Sequence, residues 1–208
     1  MAERWYLATI RHGETDFNKQ SRYAGTMDIP LNGAGREDAR RAYGEIMRIG
    51  FDVSVASPLQ RAVETAEILT GGSVRVVTCE HARERDFGVL QGRTSADVES
   101  VRPPIHFIKV GNDYHSVDIP GGEKFEDLRA RAERFHQYML DNHRGRRVLV
   151  VSHGVFLQQY HGVLRGQDWI DALCSHVGNL ELTMFEMDGD RVVSEERRRL
   201  MGRAQNEF

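Results

Sequence analysis

A chain of 208 residues suits one domain and is long enough to bury a core that can hold a rigid site. Its formal charge of -3, with 28 % charged residues, describes an ordinary soluble surface and gives no support for nucleic-acid binding. The apolar stretches are strand-sized, and Met1-Ala2-Glu3-Arg4 lacks the basic and apolar regions of a secretory signal, so no membrane association and a cytoplasmic location are expected.

The first apolar run, residues 5–10, alternates like a strand and leads straight into Arg11-His12-Gly13-Glu14-Thr15-Asp16-Phe17-Asn18. An arginine and a histidine therefore sit where a buried strand reaches the surface. A helix is expected over residues 34–48, with Ala39, Ala42, Tyr43 and Ile46 on its apolar stripe. A strand over 52–56 runs into Ser57-Pro58-Leu59-Gln60-Arg61, which opens a second helix whose stripe is Leu59, Ala62, Val63, Ala66 and Leu69. A strand over 74–78 leads to Arg83-Glu84-Arg85-Asp86. Residues 102–122, with Pro103-Pro104, Pro120 and Gly121-Gly122, are weakly patterned, and a cap or lid segment is assigned to 93–122.

Phe125, Leu128, Ala132, Phe135 and Met139 recur at helical steps. The strand over 147–152 then delivers a second His-Gly pair, His153-Gly154, followed by a helical segment. Strands over 180–187 and 191–195 form a hairpin around Asp188-Gly189-Asp190, and the mixed charges of 195–203 read as a solvated end. Alternating strands and helices imply an α/β fold: a three-layer α/β/α sandwich whose central sheet is mostly parallel.

Arg-His-Gly alone is weak evidence, because short strings recur by chance; the second His-Gly at a strand end is what gives it weight. In an open α/β sheet the carboxyl ends of the strands form one rim, so Arg11, His12, Arg61, Glu84 and His153 converge there. Guanidinium groups, imidazoles and the helix N-termini after Pro58 and Gly154 suit a tetrahedral dianion, so the expected guest is phosphate. Arg11, Arg61 and His153 supply cationic stabilisation of a transferring phosphoryl group without Mg²⁺. His12 can be the nucleophile if a neighbouring carbonyl of the Gly13 turn fixes its tautomer, and Glu84 is preferred over Glu14 or Asp86 as proton donor. No metal is expected, since the nine histidines form no His-x-x-x-His with an adjacent Glu and His136 and His143 only share a helix face. Cys79 and Cys174, unpaired by motif, read as core thiols.

With these residues in place, the chain resembles the histidine phosphatase superfamily, in its phosphoglycerate-mutase-like branch. The matching strings are Arg11-His12-Gly13-Glu14-Thr15, Asn18, Gly25-Thr26-Met27-Asp28-Ile29-Pro30-Leu31, Ser57-Pro58-Leu59-Gln60-Arg61-Ala62 with Glu64-Thr65, Glu84-Arg85-Asp86-Phe87-Gly88, Pro120-Gly121-Gly122-Glu123 and Ser152-His153-Gly154. The resemblance implies a phosphohistidine at His12, a phosphoryl group held by Arg11, Arg61 and His153, a proton from Glu84, and a phosphate contact from Asn18. Thr26 and Gly154 are added as substrate-binding positions; no cofactor is implied.

Mutases and phosphatases share this framework, and the departures separate them. After Leu90-Gln91-Gly92 the chain has Arg93-Thr94-Ser95, and residues 107–111 carry no arginine pair, so the clamp that grips a phosphoglycerate carboxylate in mutases looks absent. Ala24 and Lys124 replace polar residues common in relatives. The expectation is a metal-independent phosphatase acting on a small phosphorylated metabolite, with a phosphoglycerate mutase (an isomerase) as the alternative and a non-catalytic phospho-ligand binding protein as the third reading. Association into homo-oligomers is left open.

Overall fold

The computed structural model describes residues 4–200. A six-stranded sheet has the order β3-β2-β6-β1-β7-β8, formed by β1 (Arg4–Arg11), β2 (Val53–Ala56), β3 (Val76–Thr78), β6 (Arg147–Ser152), β7 (Glu181–Asp188) and β8 (Arg191–Arg199). The first four in that order are parallel, and β7 and β8 add antiparallel at one side. Side chains of adjacent residues point to opposite faces, and the burial follows that rule. Trp5, Leu7, Val148, Val150 and Phe185 join one core cluster, with α4 (Phe125–His143) and α5 (Gly154–Arg165). Ala8, Ile10, Leu149, Val151 and Leu182 join the other, with α2 (Gly33–Ile49) and α3 (Gln60–Thr70). The protein is thus a three-layer α/β/α sandwich with a mostly parallel sheet.

The helix stripes are core, as their period requires, except that Tyr43 is 42 % exposed. Helix α2 buries only Gly35, Ala39, Ala42 and Ile46, a narrow run of small residues, so the ring one position further round is left outside. Of the two thiols Cys79 is buried but Cys174 is exposed, which corrects the core assignment for the latter. Strand β8 runs to Arg199, beyond the expected end at 195, because an edge strand open on both faces tolerates charge; Arg197 pairs with Glu181 of β7 at 2.7 Å. Residues 201–203 of the expected solvated end lie outside the described residues.

Segment 102–122 contains an unforeseen hairpin, β4 (His106–Val110) with β5 (Asp113–Val117). Ile108, Val110 and Val117 pack on the α4/α5 core, and the buried Arg85 donates to Ser116 O at 2.8 Å while stacking on Phe125.

Register fixes what reaches the rim. Ile10 pairs with Val151 and Arg11 with Ser152, so the two strands end side by side and His12 N donates to Ser152 O at 2.9 Å. Ala56 pairs with Val151 and with Thr78, which brings Ser57 next to β6 and leads the chain after β3 toward Glu84. Ser152 Oγ secures that segment by donating to Ala82 O at 2.7 Å.

Beneath the rim, His161 of α5 is fully buried with Nε2 2.7 Å from Thr9 Oγ1. Burial, then the charges of Arg165 and Arg197, bring its pKa from 6.5 down to about 3. Between those values the unfolded chain holds a proton that the folded chain rejects, so this contribution is intact above the unfolded value and is lost as pH falls toward the folded one. His161→Gln is expected to remove about 1.4 kcal/mol per pH unit of acid sensitivity. Urea unfolding at pH values from neutral to mildly acid measures the slope; equal slopes for both proteins would contradict the assignment.

Candidate active site

The rim encloses a cavity of about 200 Å³ whose lining includes Arg11, His12, Asn18, Arg61, Glu84 and Gly154. His12 lies just past β1, 4 % exposed, and its Nδ1 donates to Gly13 O at 2.7 Å. That bond leaves Nε2 with the lone pair. Burial, then Arg61 and Arg11, holds the imidazole well below its ordinary pKa against the opposing pull of the Gly13 carbonyl, so the ring is neutral. The turn itself is braced: Gly13 N donates to Thr65 Oγ1 at 3.0 Å, and Asn179 Nδ2 donates to His12 O at 2.7 Å.

The second imidazole, His153, is the N-cap residue of α5 and is fully buried. Its ring centroid is 5.1 Å from that of His12. Nε2 lies 2.7 Å from Ser57 Oγ, whereas Nδ1 is buried without a partner among the described residues. Burial, then Arg61, His12 and Arg11, keeps this ring far below its ordinary pKa as well.

Arg61 stands in the first turn of α3 and is 1 % exposed. Its NH1 donates to Met27 O and its NH2 to Gly25 O, each at 2.8 Å, while Nε is buried and unpartnered. The same loop caps α3, since Gln60 N donates to Asp28 Oδ1 at 2.7 Å. Arg11 repeats the pattern, with NH1 donating to Val177 O at 2.8 Å and Nε left buried and unpartnered. Gly154 makes room for it: a Cβ there would press on the Arg11 guanidinium at 3.3 Å.

Glu84 is 8 % exposed and accepts from three backbone N–H groups. Arg85 N and Phe156 N reach Oε1 at 2.9 and 3.0 Å, and Val155 N reaches Oε2 at 3.2 Å. The carboxyl group is therefore fixed against the first turn of α5. Glu14 instead accepts from Asn32 Nδ2, and Asp86 from Gly88 N, and neither lines the cavity. Asn18 lines it with Oδ1 already accepting from Thr15 N and Oγ1, so its amide NH₂ is the group left over.

Thr26 is not brought to the cavity. Its N–H and Oγ–H both donate to Gln91 Oε1, at 2.6 and 2.9 Å, and it acts on the loop instead. Gly25 adopts φ +53° and sits where a Cβ would collide with the same Gln91 side chain. Residues 93–122 contribute nothing to the cavity lining, which includes Tyr23, Ala24, Phe87, Val155, Gln158, His176 and Val177 on its outer part. Arg22, which also lines the cavity, and Val155, Gln158, His176 and Val177 are not among the site residues expected from the sequence; Gln158 carries a signal in its i+4 spacing from Gly154. Among the described residues no His, Cys, Asp or Glu group is placed to hold a metal ion, and no helix is long and apolar enough to cross a membrane.

An α/β sandwich with paired histidines and buried arginines at the carboxyl rim of its sheet is the framework of a phosphoryl-handling protein. The chain belongs to the histidine phosphatase superfamily (branch 1), whose model matches residues 7–198. It is 35 % identical to phosphoglycerate mutase-like protein 4 of Arabidopsis thaliana over 71 % of its own length and 66 % of that protein's. It matches a bifunctional protein of Mycobacterium tuberculosis at 35 % identity, covering 71 % of this chain and 40 % of that one. The chain thus spans less than two thirds of the length of these curated relatives. Among solved structures, a mycobacterial glucosyl-3-phosphoglycerate phosphatase in complex with VO3 superposes with a TM-score of 0.72 at 26 % identity, over 88 % of this chain and 92 % of that one.

Proposed function

We propose that the protein is a metal-independent phosphatase of small phosphomonoesters that works through a phosphohistidine at His12. One observation carries this reading: among the described residues Arg11 Nε, Arg61 Nε and His153 Nδ1 are buried without partners, Arg11 and Arg61 line the cavity with His12, and His153, outside that lining, has its ring 5.1 Å from that of His12. Unpaired buried donors are costly, and three on one site are satisfied together by a tetrahedral oxyanion. His153 Nε2 lies 2.7 Å from Ser57 Oγ, and with the hydroxyl as donor in that bond the ring's proton is on Nδ1, where an anion can use it.

In the first step His12 Nε2 attacks phosphorus and forms a P–N bond while the ester P–O bond breaks. The departing alkoxide takes its proton from the Glu84 carboxyl group. In the second step Glu84, now a carboxylate, removes a proton from water, whose oxygen attacks phosphorus and releases phosphate and neutral His12. Arg11, Arg61 and His153 stabilise the transferring oxygens in both steps.

The mutase alternative has a specific relative behind it, the mutase-like plant protein. The cavity lining argues against it, because Arg22 is the only cation there beyond Arg11 and Arg61 among the described residues, and its NH1 already donates to Gly92 O at 2.7 Å. Arg93 is turned to Val89 O and Lys109 lies over the Tyr114 ring, so neither completes a carboxylate clamp. Incubation with p-nitrophenyl phosphate in EDTA is expected to release p-nitrophenol, and a coupled assay with 3-phosphoglycerate to show less mutase than phosphatase turnover. No hydrolysis in EDTA, or a mutase rate well above the phosphatase rate, overturns the reading.

A further inference from the structure

The carboxyl rim accounts for the phosphoryl end of the cavity and leaves the other end unexplained. Helix α5 supplies one wall there. Gly154 lies against the Arg11 guanidinium and Val155 N reaches Glu84, and one turn further along the same face stands Gln158. Gln158 is 6 % exposed, and its side chain makes no hydrogen bond to any described residue. Its neighbour Gln159 shows the contrast: fully buried, it spends its Nε2 on Trp169 O at 2.9 Å. A primary amide that lines a cavity with its donor and acceptor open to it is a recognition group, because a ligand hydroxyl seated there can pair with either function.

The chemistry of that ligand follows from the surroundings. Four residues on from Gly154, which touches Arg11, the Gln158 backbone stands about 6 Å further along α5. That is the reach from phosphorus to a substituent on the carbons next to the ester oxygen. The amide is neutral and both donates and accepts, so it fits a hydroxyl group in either role better than a carboxylate or an ammonium. Tyr23 and Phe87, with ring centroids 5.1 Å apart, and Val155 and Val177 add apolar surface to the same cavity, whose lining also holds Arg22 and His176.

We propose that Gln158 is a specificity-determining residue that reads a hydroxyl group on the leaving alcohol, so that the preferred substrates are short hydroxylated alkyl phosphates. The proposal rests on the phosphatase reading above. The test compares glycerol 1-phosphate with n-propyl phosphate, which match in chain length and differ in hydroxyl groups. Wild type is expected to favour the glycerol ester by about tenfold in kcat/KM, the yield of a neutral hydrogen bond made to a site built for it. In Gln158→Leu the ratio of the two kcat/KM values should fall to near one, with the change carried mainly by KM for the hydroxylated ester. Gln158→Met, closer in shape to glutamine, serves if the leucine variant does not fold. A wild-type ratio near one, or a ratio that the substitutions leave unchanged, overturns the proposal while hydrolysis itself continues. Failure of wild type to release phosphate from either ester or from p-nitrophenyl phosphate overturns the phosphatase reading and this proposal with it.

Discussion

Replacing His12 by alanine is expected to lower phosphatase kcat by ~10⁴-fold or more while phosphate still binds. The two effects separate because different residues carry them. On the proposed reading the nucleophile is the His12 ring nitrogen left by the donation of Nδ1 to Gly13 O, on a ring kept neutral by burial and by Arg61 and Arg11. The anion cradle, Arg11 Nε, Arg61 Nε and His153 Nδ1, stays in place when the ring is removed, since the arginines are anchored on Val177 O, Met27 O and Gly25 O and the second histidine on Ser57. Rapid-quench labelling with a radioactive phosphomonoester should trap an acid-labile phosphoenzyme in wild type and none in the variant, and competitive binding of inorganic phosphate should persist. Undiminished turnover by the alanine variant would mean that the nucleophile lies elsewhere.

The convergence of these residues was readable in the sequence because they sit at strand ends, where a rule of parallel sheets does the assembling. Arg11 and His153 are 142 positions apart by number, yet pairing of Arg11 with Ser152 makes them neighbours once both runs are recognised as adjacent parallel strands. The Gly13 carbonyl could be named as the tautomer lock for the same reason, being local to the turn. What could not be read was long-range and specific to side-chain reach. Thr26 belongs to a loop that approaches the cavity, but its hydroxyl is spent on Gln91, a partner that no periodicity points to. The hairpin of β4 and β5 hid behind exposed faces: with Phe107, Lys109 and Tyr114 outside, its strands show no clean alternation, although Gly111-Asn112 between them is a turn signal. The same blindness affects β8, whose charges mark an edge strand as readily as a solvated tail.

Arg61→Lys is expected to cost both activity and stability, and the pairing of losses is what identifies the residue's role. The guanidinium joins two structures: its NH1 and NH2 hold the carbonyls of Met27 and Gly25, while Nε is buried without a partner among the described residues on a side chain that lines the cavity. A lysine brings one ammonium with no planar fork, so it cannot hold both carbonyls and meet a phosphoryl oxygen at once. Loss of one preorganised charged donor lowers kcat/KM by ~10²–10³-fold. The Gly25 carbonyl left buried and unpaired costs about 1–3 kcal/mol and the part-buried Met27 carbonyl about 1, so unfolding in urea should show a loss of about 2–4 kcal/mol. The loop held by these bonds also supplies Asp28 as the cap of α3, which is why the damage should spread beyond the site. Arg61→Ala assayed with added guanidinium separates the two roles: the free cation can refill the phosphoryl position and restore part of kcat/KM, but, not being attached to α3, it cannot rebuild the hydrogen-bonded tie from that helix to the loop, so the stability loss should persist when activity is partly restored. A lysine variant within tenfold of wild-type kcat/KM and unchanged in unfolding midpoint would show that neither role is needed.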